Sequence, residues 1–182
     1  METFLPFSKQ PEGTEQVKPP FLYHGSVAGN IQSFIPRGAK NRPAEPPAVY
    51  ATPYLEIAIQ SMANAYASNG GILDGRRFVC IPMTRKEFEQ KDTGGSVYAL
   101  PSETFTINNS GGGFGGSMEW VSTETVTPSS QQHYPSLLQA LLQQGVEVYF
   151  VDPGIVDTIT AAQMSANPED LKQVLAGLKR TT

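Results

Sequence analysis

Three side chains with useful chemistry stand beside short apolar segments that are far apart in the chain. His24 ends the first segment, Tyr50 lies within the second, and Glu119 opens the third. An imidazole binds hydroxyl groups, a tyrosine ring stacks on flat aromatic ligands, and a carboxylate stabilises positive charge that develops during a reaction. Together these residue types could bind a flat polar ligand and stabilise positive charge that develops on it.

Several other chemistries lack the residues that they need. The glycine-rich segment 108–117 leads into a strand and has no Gly-Lys-Ser/Thr after it, so it is not a phosphate-binding loop. Ser26 stands one residue out of the frame of the hydrolase pattern Gly-x-Ser-x-Gly. The two histidines have no metal-ligand spacing, and the single cysteine, Cys80, lies in an apolar run. We therefore expect no metal and no disulfide, and we interpret Cys80 as a buried core residue and His133 as an exposed, inert one.

The three segments resemble a known set of motifs. Leu22-Tyr-His-Gly-Ser26, Val49-Tyr-Ala-Thr52 and Glu119-Trp-Val121 follow one another in that order, with 26 residues from histidine to tyrosine and 69 from tyrosine to glutamate. This arrangement is similar to the His-Tyr-Glu signature of the ADP-ribosyltransferase superfamily, in its diphtheria-toxin and poly(ADP-ribose) polymerase-like branch. The resemblance extends from about residue 21 to about residue 151.

The resemblance implies an enzyme that uses NAD as its substrate. In this family Gly25 and Ser26 would hold the nicotinamide carboxamide, and Tyr50 would stack on the ring. His24 would bind a ribose hydroxyl and orient the dinucleotide. Glu119 would stabilise the cationic ribose that forms when nicotinamide leaves. The implied catalytic residues are thus Glu119, His24 and Tyr50, with NAD as the only cofactor.

The chain departs from the family pattern at the second wall of the nicotinamide pocket. The polymerases have another stacking tyrosine about three helical turns after the first, where this chain has Ser61 or Met62. Tyr66 lies out of that register and also fits the apolar face of the helix, but we include it among the candidate NAD-binding residues. Glu124 is a rival of Glu119, although a continuous strand would turn it to the opposite face.

The length of the chain and its glycine-rich segment bear on the acceptor of the ADP-ribose group. The chain has 182 residues, which leaves no room for a regulatory domain, so we expect transfer of single ADP-ribose units. In this superfamily the loop before the catalytic glutamate helps to select the acceptor, a role that falls here to segment 108–117. Phe114, its only large side chain, is predicted to contact a protein or nucleic-acid acceptor.

Two other functions remain open. An RNA 2′-phosphotransferase would share the fold and an early His-Gly motif, but it needs several arginines around its phosphates. A catalytically silent NAD- or nucleotide-binding module would differ mainly at Glu119. Taken alone, each of the three residues is better explained by a structural role. The biological setting (toxin, phage factor or regulator) and the oligomeric state also stay open.

Short elements separated by loops must position these residues. We expect strands at 21–24, 48–51, 77–83, 96–100, 118–122 and 145–151. The predicted helices begin at Pro53, at Pro135 and at Pro168. The first carries its apolar face through Tyr66 to an end at Asn69-Gly-Gly71, and Asn167 caps the last. This pattern predicts an α+β domain with an ADP-ribosyltransferase-like fold, in which helices flank a split antiparallel β core.

Composition indicates how the chain is organised and where it is located. Glycine and proline are abundant, at 17 and 15 residues, which favours long loops. Residues 1–20 read as a flexible arm, and residues 21–182 as a single domain. A net charge of −4 argues against a general nucleic-acid binder. No apolar run suggests a membrane span or a secretory signal, so we expect a cytoplasmic protein, with export by a route without a cleaved signal left open.

Overall fold

The computed structural model describes residues 18–38, 43, 45–108, 118–165, 167–178 and 180–181. Its strands are β1 (Phe21–Ser26), β2 (Val49–Ala51), β3 (Asn69–Leu73), β4 (Arg76–Ile81), β5 (Gly95–Pro101), β6 (Thr106–Ile107), β7 (Trp120–Ser122), β8 (Ser130–Tyr134), β9 (Glu147–Phe150) and β10 (Arg180–Thr181). Its α-helices are α1 (Leu55–Met62), α2 (Arg85–Lys91), α3 (Leu137–Gln143), α4 (Val156–Met164) and α5 (Pro168–Ala176). The expected α+β class is confirmed.

The strands form three small sheets, ordered β1-β5-β8, β10-β9-β4-β3 and β2-β7-β6. All of the pairings are antiparallel except that of β4 with β9. The third sheet approaches the first where Tyr23 of β1 and Thr52, just after β2, exchange two backbone hydrogen bonds of 2.7 and 2.9 Å. The segments that carry His24 and Tyr50 are therefore neighbours in space.

Helices cover both faces of the β10-β9-β4-β3 sheet. Side chains of β4 alternate between the faces: Val79 and Ile81 pack with α1 and α3, whereas Phe78 and Cys80 pack with α4 and α5. Cys80 is fully buried, and burial raises the pKa of its thiol to about 12. The thiol is therefore protonated and unreactive at neutral pH, in agreement with its expected structural role.

The helix after β2 differs from its prediction at both ends. It begins at Leu55 rather than Pro53, and it ends at Met62, followed by a 3₁₀ turn over Ala63–Tyr66. Asn69-Gly-Gly71 does not end this helix but belongs to strand β3. A Cβ on Gly70 would lie 2.4 Å from Nε2 of Gln60, so the glycine here serves close packing between helix and strand rather than a helix end.

Several elements have weak sequence signals and were not predicted: α2, α4, β3, β6, β8 and β10. β8 is an edge strand in the part of the chain that the structure describes, and its polar side chains Ser130–His133 are exposed. A polar, exposed strand lacks the alternation that marks half-buried strands. Its His133 thus lies on a strand rather than just before a helix, and it remains exposed. Among the described residues, no helix is long and apolar enough to cross a membrane.

Asp92 connects the end of α2 to the start of α3. Its carboxylate accepts hydrogen bonds of 2.8 to 3.1 Å from the backbone amides of Gly94, Leu137 and Leu138 and from the hydroxyl of Ser136. Two of these amides lie at the N-terminus of α3, where backbone donors lack partners within the helix. The carboxylate therefore supports the chain turn and the helix start together.

Replacing Asp92 with alanine is expected to lower the free energy of unfolding by about 2–4 kcal/mol, since four hydrogen bonds to one charged group are lost. Urea denaturation measures this loss. Asp157→Ala is the matched control, because Asp157 is an exposed residue of α4 and its loss is expected to cost less than about 0.5 kcal/mol. Equal stabilities of the two variants would contradict the role assigned to Asp92.

Candidate functional site

A cavity of about 900 Å³ opens between β1, β2 and α1. Its volume is within the range of small-molecule and cofactor sites, about 300–1,000 Å³. Five of the residues singled out in the sequence line it: His24, Gly25, Ser26, Tyr50 and Glu119. Residues that are up to 95 positions apart in the chain thus meet in one place.

The backbone of Gly25 faces the cavity with both of its polar groups. Tyr23, two residues earlier on β1, directs its amide and carbonyl toward Thr52. Because these directions alternate along a strand, the amide and carbonyl of Gly25 point toward the same edge, where Gly25 lines the cavity. This edge offers a ligand one donor and one acceptor side by side.

The missing side chain of Gly25 serves a second purpose. A Cβ at this position would lie 1.8 Å from the carbonyl oxygen of Ala58 and 2.9 Å from Cγ of Met62, both in α1. Glycine therefore lets the helix lie directly on the strand. The family resemblance implies that this glycine holds the nicotinamide carboxamide, and the structure requires it for packing as well.

His24 is held in one tautomer by a neighbouring strand. Its Nδ1 lies 2.7 Å from the carbonyl oxygen of Tyr50, which can only accept, so Nδ1 carries the proton and donates. The neutral ring then presents Nε2 as an acceptor. The ring also contacts Phe34, with 4.6 Å between ring centroids. Burial lowers the pKa of His24, and the hydrogen bond to Tyr50 offsets part of this effect, so the imidazole is neutral at pH 7.

Tyr50 and Ser26 both line the cavity and form hydrogen bonds beside it. The hydroxyl of Tyr50 donates to Oε2 of Glu45 at 3.3 Å, which ties the ring to the loop before β2. The hydroxyl of Ser26 accepts from the amide of Ala28 at 3.1 Å. A serine hydroxyl that accepts in this way still has its own proton to donate.

Glu119 is buried beside the antiparallel β6–β7 pair, with 8% of its surface exposed. Its Oε1 accepts a hydrogen bond of 2.6 Å from Nδ2 of Asn108, and its carbonyl oxygen accepts from the amide of Asn108 at 2.9 Å. Glu119 directly precedes β7, which pairs with β2, the strand of Tyr50. The pairing of β2 with β7 therefore places the segments of Glu119 and Tyr50 side by side.

Two arginines influence the charge of this region. Arg37 lines the cavity, and it is the only lysine or arginine that does so among the described residues. Arg77, on β4, forms a 3.6 Å ion pair with Glu56 of α1 and contacts Sδ of Met118, the residue before Glu119. Burial lowers the pKa of Arg77 and Glu56 offsets part of this effect, yet the group stays charged because guanidinium does not deprotonate in proteins.

The structure does not bring every candidate residue to the cavity. Tyr66 lies outside it: its ring packs against Phe88 at 4.7 Å between centroids, and its hydroxyl donates to the carbonyl of Lys91. The structure therefore does not bring Tyr66, which lies in the 3₁₀ turn and packs half-buried against the core, to this cavity. Glu124 is exposed and does not line the cavity. Phe114 lies outside the described residues.

Sequence reasoning missed the residues that support the site. In the sequence Asn108 is only the first residue of a glycine-rich stretch, and one asparagine carries no signal of its contact with Glu119. Tyr98, on β5, is fully buried, and its hydroxyl donates to the carbonyl of Ala28 and accepts from the amide of Ile31. It thereby fixes the loop beside His24. An apolar strand with one tyrosine does not reveal such a bond.

No function is transferred to this site from a known protein. Among the described residues, no three His, Cys, Asp or Glu side chains are grouped closely enough to hold a metal ion. Comparison of the whole chain with protein-family models, with curated proteins and with solved structures finds no significant match. The function must therefore be argued from the cavity itself.

Proposed function

We propose that the protein is an NAD-dependent mono-ADP-ribosyltransferase. The observation that carries this proposal is the meeting of His24, Tyr50 and Glu119 in one cavity with the polar backbone edge of Gly25. Each residue alone is common in folded proteins. Their convergence from three separate segments, in a cavity of suitable size, supports a shared role in binding and reaction.

The groups that line the cavity complement the structure of nicotinamide. The amide and carbonyl of Gly25 complement the acceptor and donor of a carboxamide, and Ser26 adds a hydroxyl donor. Tyr50 supplies a flat surface, worth about 0.5–1.5 kcal/mol beyond simple burial. Nε2 of His24 accepts from a ribose hydroxyl. Arg37, at the exposed side of the cavity, is suited to the negative diphosphate.

Glu119 supplies the electrostatic part of the reaction. The bond between the ribose C1′ and the nicotinamide nitrogen breaks, and its electron pair neutralises the pyridinium ring. The ribose becomes cationic, and a buried carboxylate stabilises that charge. A nucleophilic group of the acceptor then bonds to C1′ and releases its proton to a base. Water in place of the acceptor gives NAD hydrolysis.

The proposed function also implies a particular fold, acceptor and location. We assign the chain an ADP-ribosyltransferase-like fold with a split antiparallel core, supported by the approach of β1 to β2 and the pairing of β2 with β7. A protein or nucleic-acid acceptor, single-domain organisation over residues 21–182 and action in the cytoplasm rest on the sequence alone. A 2′-phosphotransferase is less well supported, because Arg37 is the only described arginine lining the cavity.

Nicotinamide release tests the proposal directly. The purified protein is incubated with NAD, and free nicotinamide is quantified by chromatography, with and without a cell extract that supplies acceptors. Radiolabelled NAD then shows whether ADP-ribose becomes attached to macromolecules. Release and attachment support the transferase. NAD binding without release under either condition indicates a silent module, and absence of NAD binding contradicts the assignment.

The protonation of His24 predicts how NAD binding depends on pH. A proton on Nε2 removes the acceptor, and burial places the pKa of His24 below its usual value of about 6.5. NAD affinity is therefore expected to be constant from pH 8 to about 6.5 and to fall at lower pH, by at most about tenfold per unit. For the same reason, stability falls as the pH drops below about 6.5, because the unfolded chain takes up the proton first.

Calorimetric titration at a series of pH values measures this effect. His24→Gln is expected to weaken binding and to flatten its dependence on pH, since an amide does not titrate in this range. His133→Gln is the control, because His133 is exposed on β8 and does not line the cavity. If His133→Gln rather than His24→Gln removed the dependence, His24 would not be the titrating group.

A further inference from the structure

We propose that Asn108 is the positioning residue of the reaction, fixing the carboxylate of Glu119 in the orientation that meets the cationic ribose. This inference rests on the proposed function and deepens it. It assigns a role to a residue that lies outside the motifs in the sequence. Asn108 is not a catalytic residue in this scheme, since it acts through Glu119.

The contact is short, buried and supported from two sides. The side-chain amide of Asn108 reaches Oε1 of Glu119 at 2.6 Å, and only 7% and 8% of the two residues is exposed. The backbone amide of Asn108 also donates to the carbonyl of Glu119 at 2.9 Å. The pair extends the β6–β7 ladder, in which Ile107 lies opposite Trp120. Asn108 is therefore held by its backbone while its side chain holds the carboxylate.

The hydrogen bond restricts rotation of the carboxyl group of Glu119, because it places a donor on one of the two oxygens. Reactions lose up to about 100-fold in rate when a reacting group is misplaced by about 1 Å. An aspartate at position 108 would replace this donor with a second carboxylate, and two carboxylates at such a distance share one proton.

Other titratable groups line the same cavity as Glu119 or contact the residue before it, and they remain unchanged in such a variant. The cavity contributes Tyr23, His24, Arg37 and Tyr50. Arg77 contacts the preceding residue, Met118, and is paired with Glu56. A change in pH dependence that appears only when position 108 is altered therefore reports on the Asn108–Glu119 pair.

Steady-state nicotinamide release from NAD, measured from pH 4.5 to 9, tests the inference. Asn108→Ala is expected to lower kcat by about 10- to 100-fold with KM for NAD nearly unchanged, since the carboxylate acts mainly in the transition state. Asn108→Asp is expected to move the acid limb of the profile upward by about one pH unit or more. Circular dichroism and thermal unfolding establish that both variants are folded.

Asn167→Asp provides a closely matched control. Nδ2 of Asn167 donates to Oδ1 of Asp170 at 2.9 Å, so this variant also places a new carboxylate beside an old one. The pair lies at the start of α5, and neither residue lines the cavity. We expect a loss of stability in this variant but a pH–rate profile like that of the parent.

The outcomes separate this inference from the function on which it rests. If the parent releases nicotinamide and both Asn108 variants keep its kcat and its pH profile, the positioning role is overturned and the transferase stands. If Asn108→Asp does not fold, the kcat and KM of Asn108→Ala decide the question. If the parent releases no nicotinamide with or without acceptors, the transferase and the positioning role are overturned together.

Discussion

Replacing Glu119 with glutamine is expected to reduce nicotinamide release by at least about 100-fold while NAD binding is retained. The substitution keeps the size of the side chain and removes its charge. A preorganised group of this kind is worth roughly 10²- to 10³-fold in kcat, because it meets charge that exists only in the transition state. The ground-state contacts assigned to Gly25, Ser26 and Tyr50 do not involve the carboxylate. Single-turnover assays and calorimetry separate the two effects.

Glu124→Gln is the control for this experiment. It makes the same chemical change five residues further along the chain, at an exposed side chain that does not line the cavity. Its activity is expected to equal that of the parent. The opposite pattern, an inactive Glu124→Gln with an active Glu119→Gln, would move the catalytic role to the rival carboxylate. Full activity in both variants would remove the carboxylate from the mechanism.

Replacing Gly25 with alanine is expected to have the largest effect on the fold. The new methyl group would lie 1.8 Å from the carbonyl oxygen of Ala58, a backbone atom that no side-chain rotation can move away. Helix α1 must then separate from β1, at a cost of about 3 kcal/mol or more. NAD binding is expected to be lost with it, because α1 and β1 both line the cavity. Chemical denaturation measures the first effect and calorimetry the second.

Gly29→Ala tests whether this effect is specific to the contact with the helix. A Cβ on Gly29 would meet nothing within 4 Å, and Gly29 does not line the cavity. Its stability is expected to remain within about 0.5 kcal/mol of the parent. A fully stable Gly25→Ala variant that has merely lost affinity would show that the glycine serves the ligand alone.

Local chemistry made some of these elements predictable from sequence. Helix α5 begins at Pro168 with Asn167 as its cap, as expected, because the signal lies within the first turn itself: Oδ1 of Asn167 accepts from the amide of Glu169. The apolar run around Val148 predicted a buried strand, and β9 lies between β10 and β4. Such signals need no knowledge of distant residues.

Long-range packing decided the elements that were missed. The glycines of β3 look like a helix end in sequence, but Gly70 forms a strand because Gln60 and β4 pack against it. At the site, motif order indicated His24, Tyr50 and Glu119, whereas Asn108 and Tyr98 act through partners 11 and 70 residues away. A residue's position in a motif is visible in a single segment of sequence. A tertiary hydrogen bond becomes visible only when the two segments that it joins are known to lie together.

Because Cys80 is buried, the reactivity of its thiol can report on local opening of the protein. The chain has one thiol, enclosed between β4 and the helices α4 and α5, so a disulfide reagent can reach it only when these elements part. The labelling rate, compared with that of the unfolded chain, then measures the population of this opening. Because the opposite face of β4 packs against α1, which lines the cavity, a ligand that tightens α1 can be detected at a sulfur atom that it never touches.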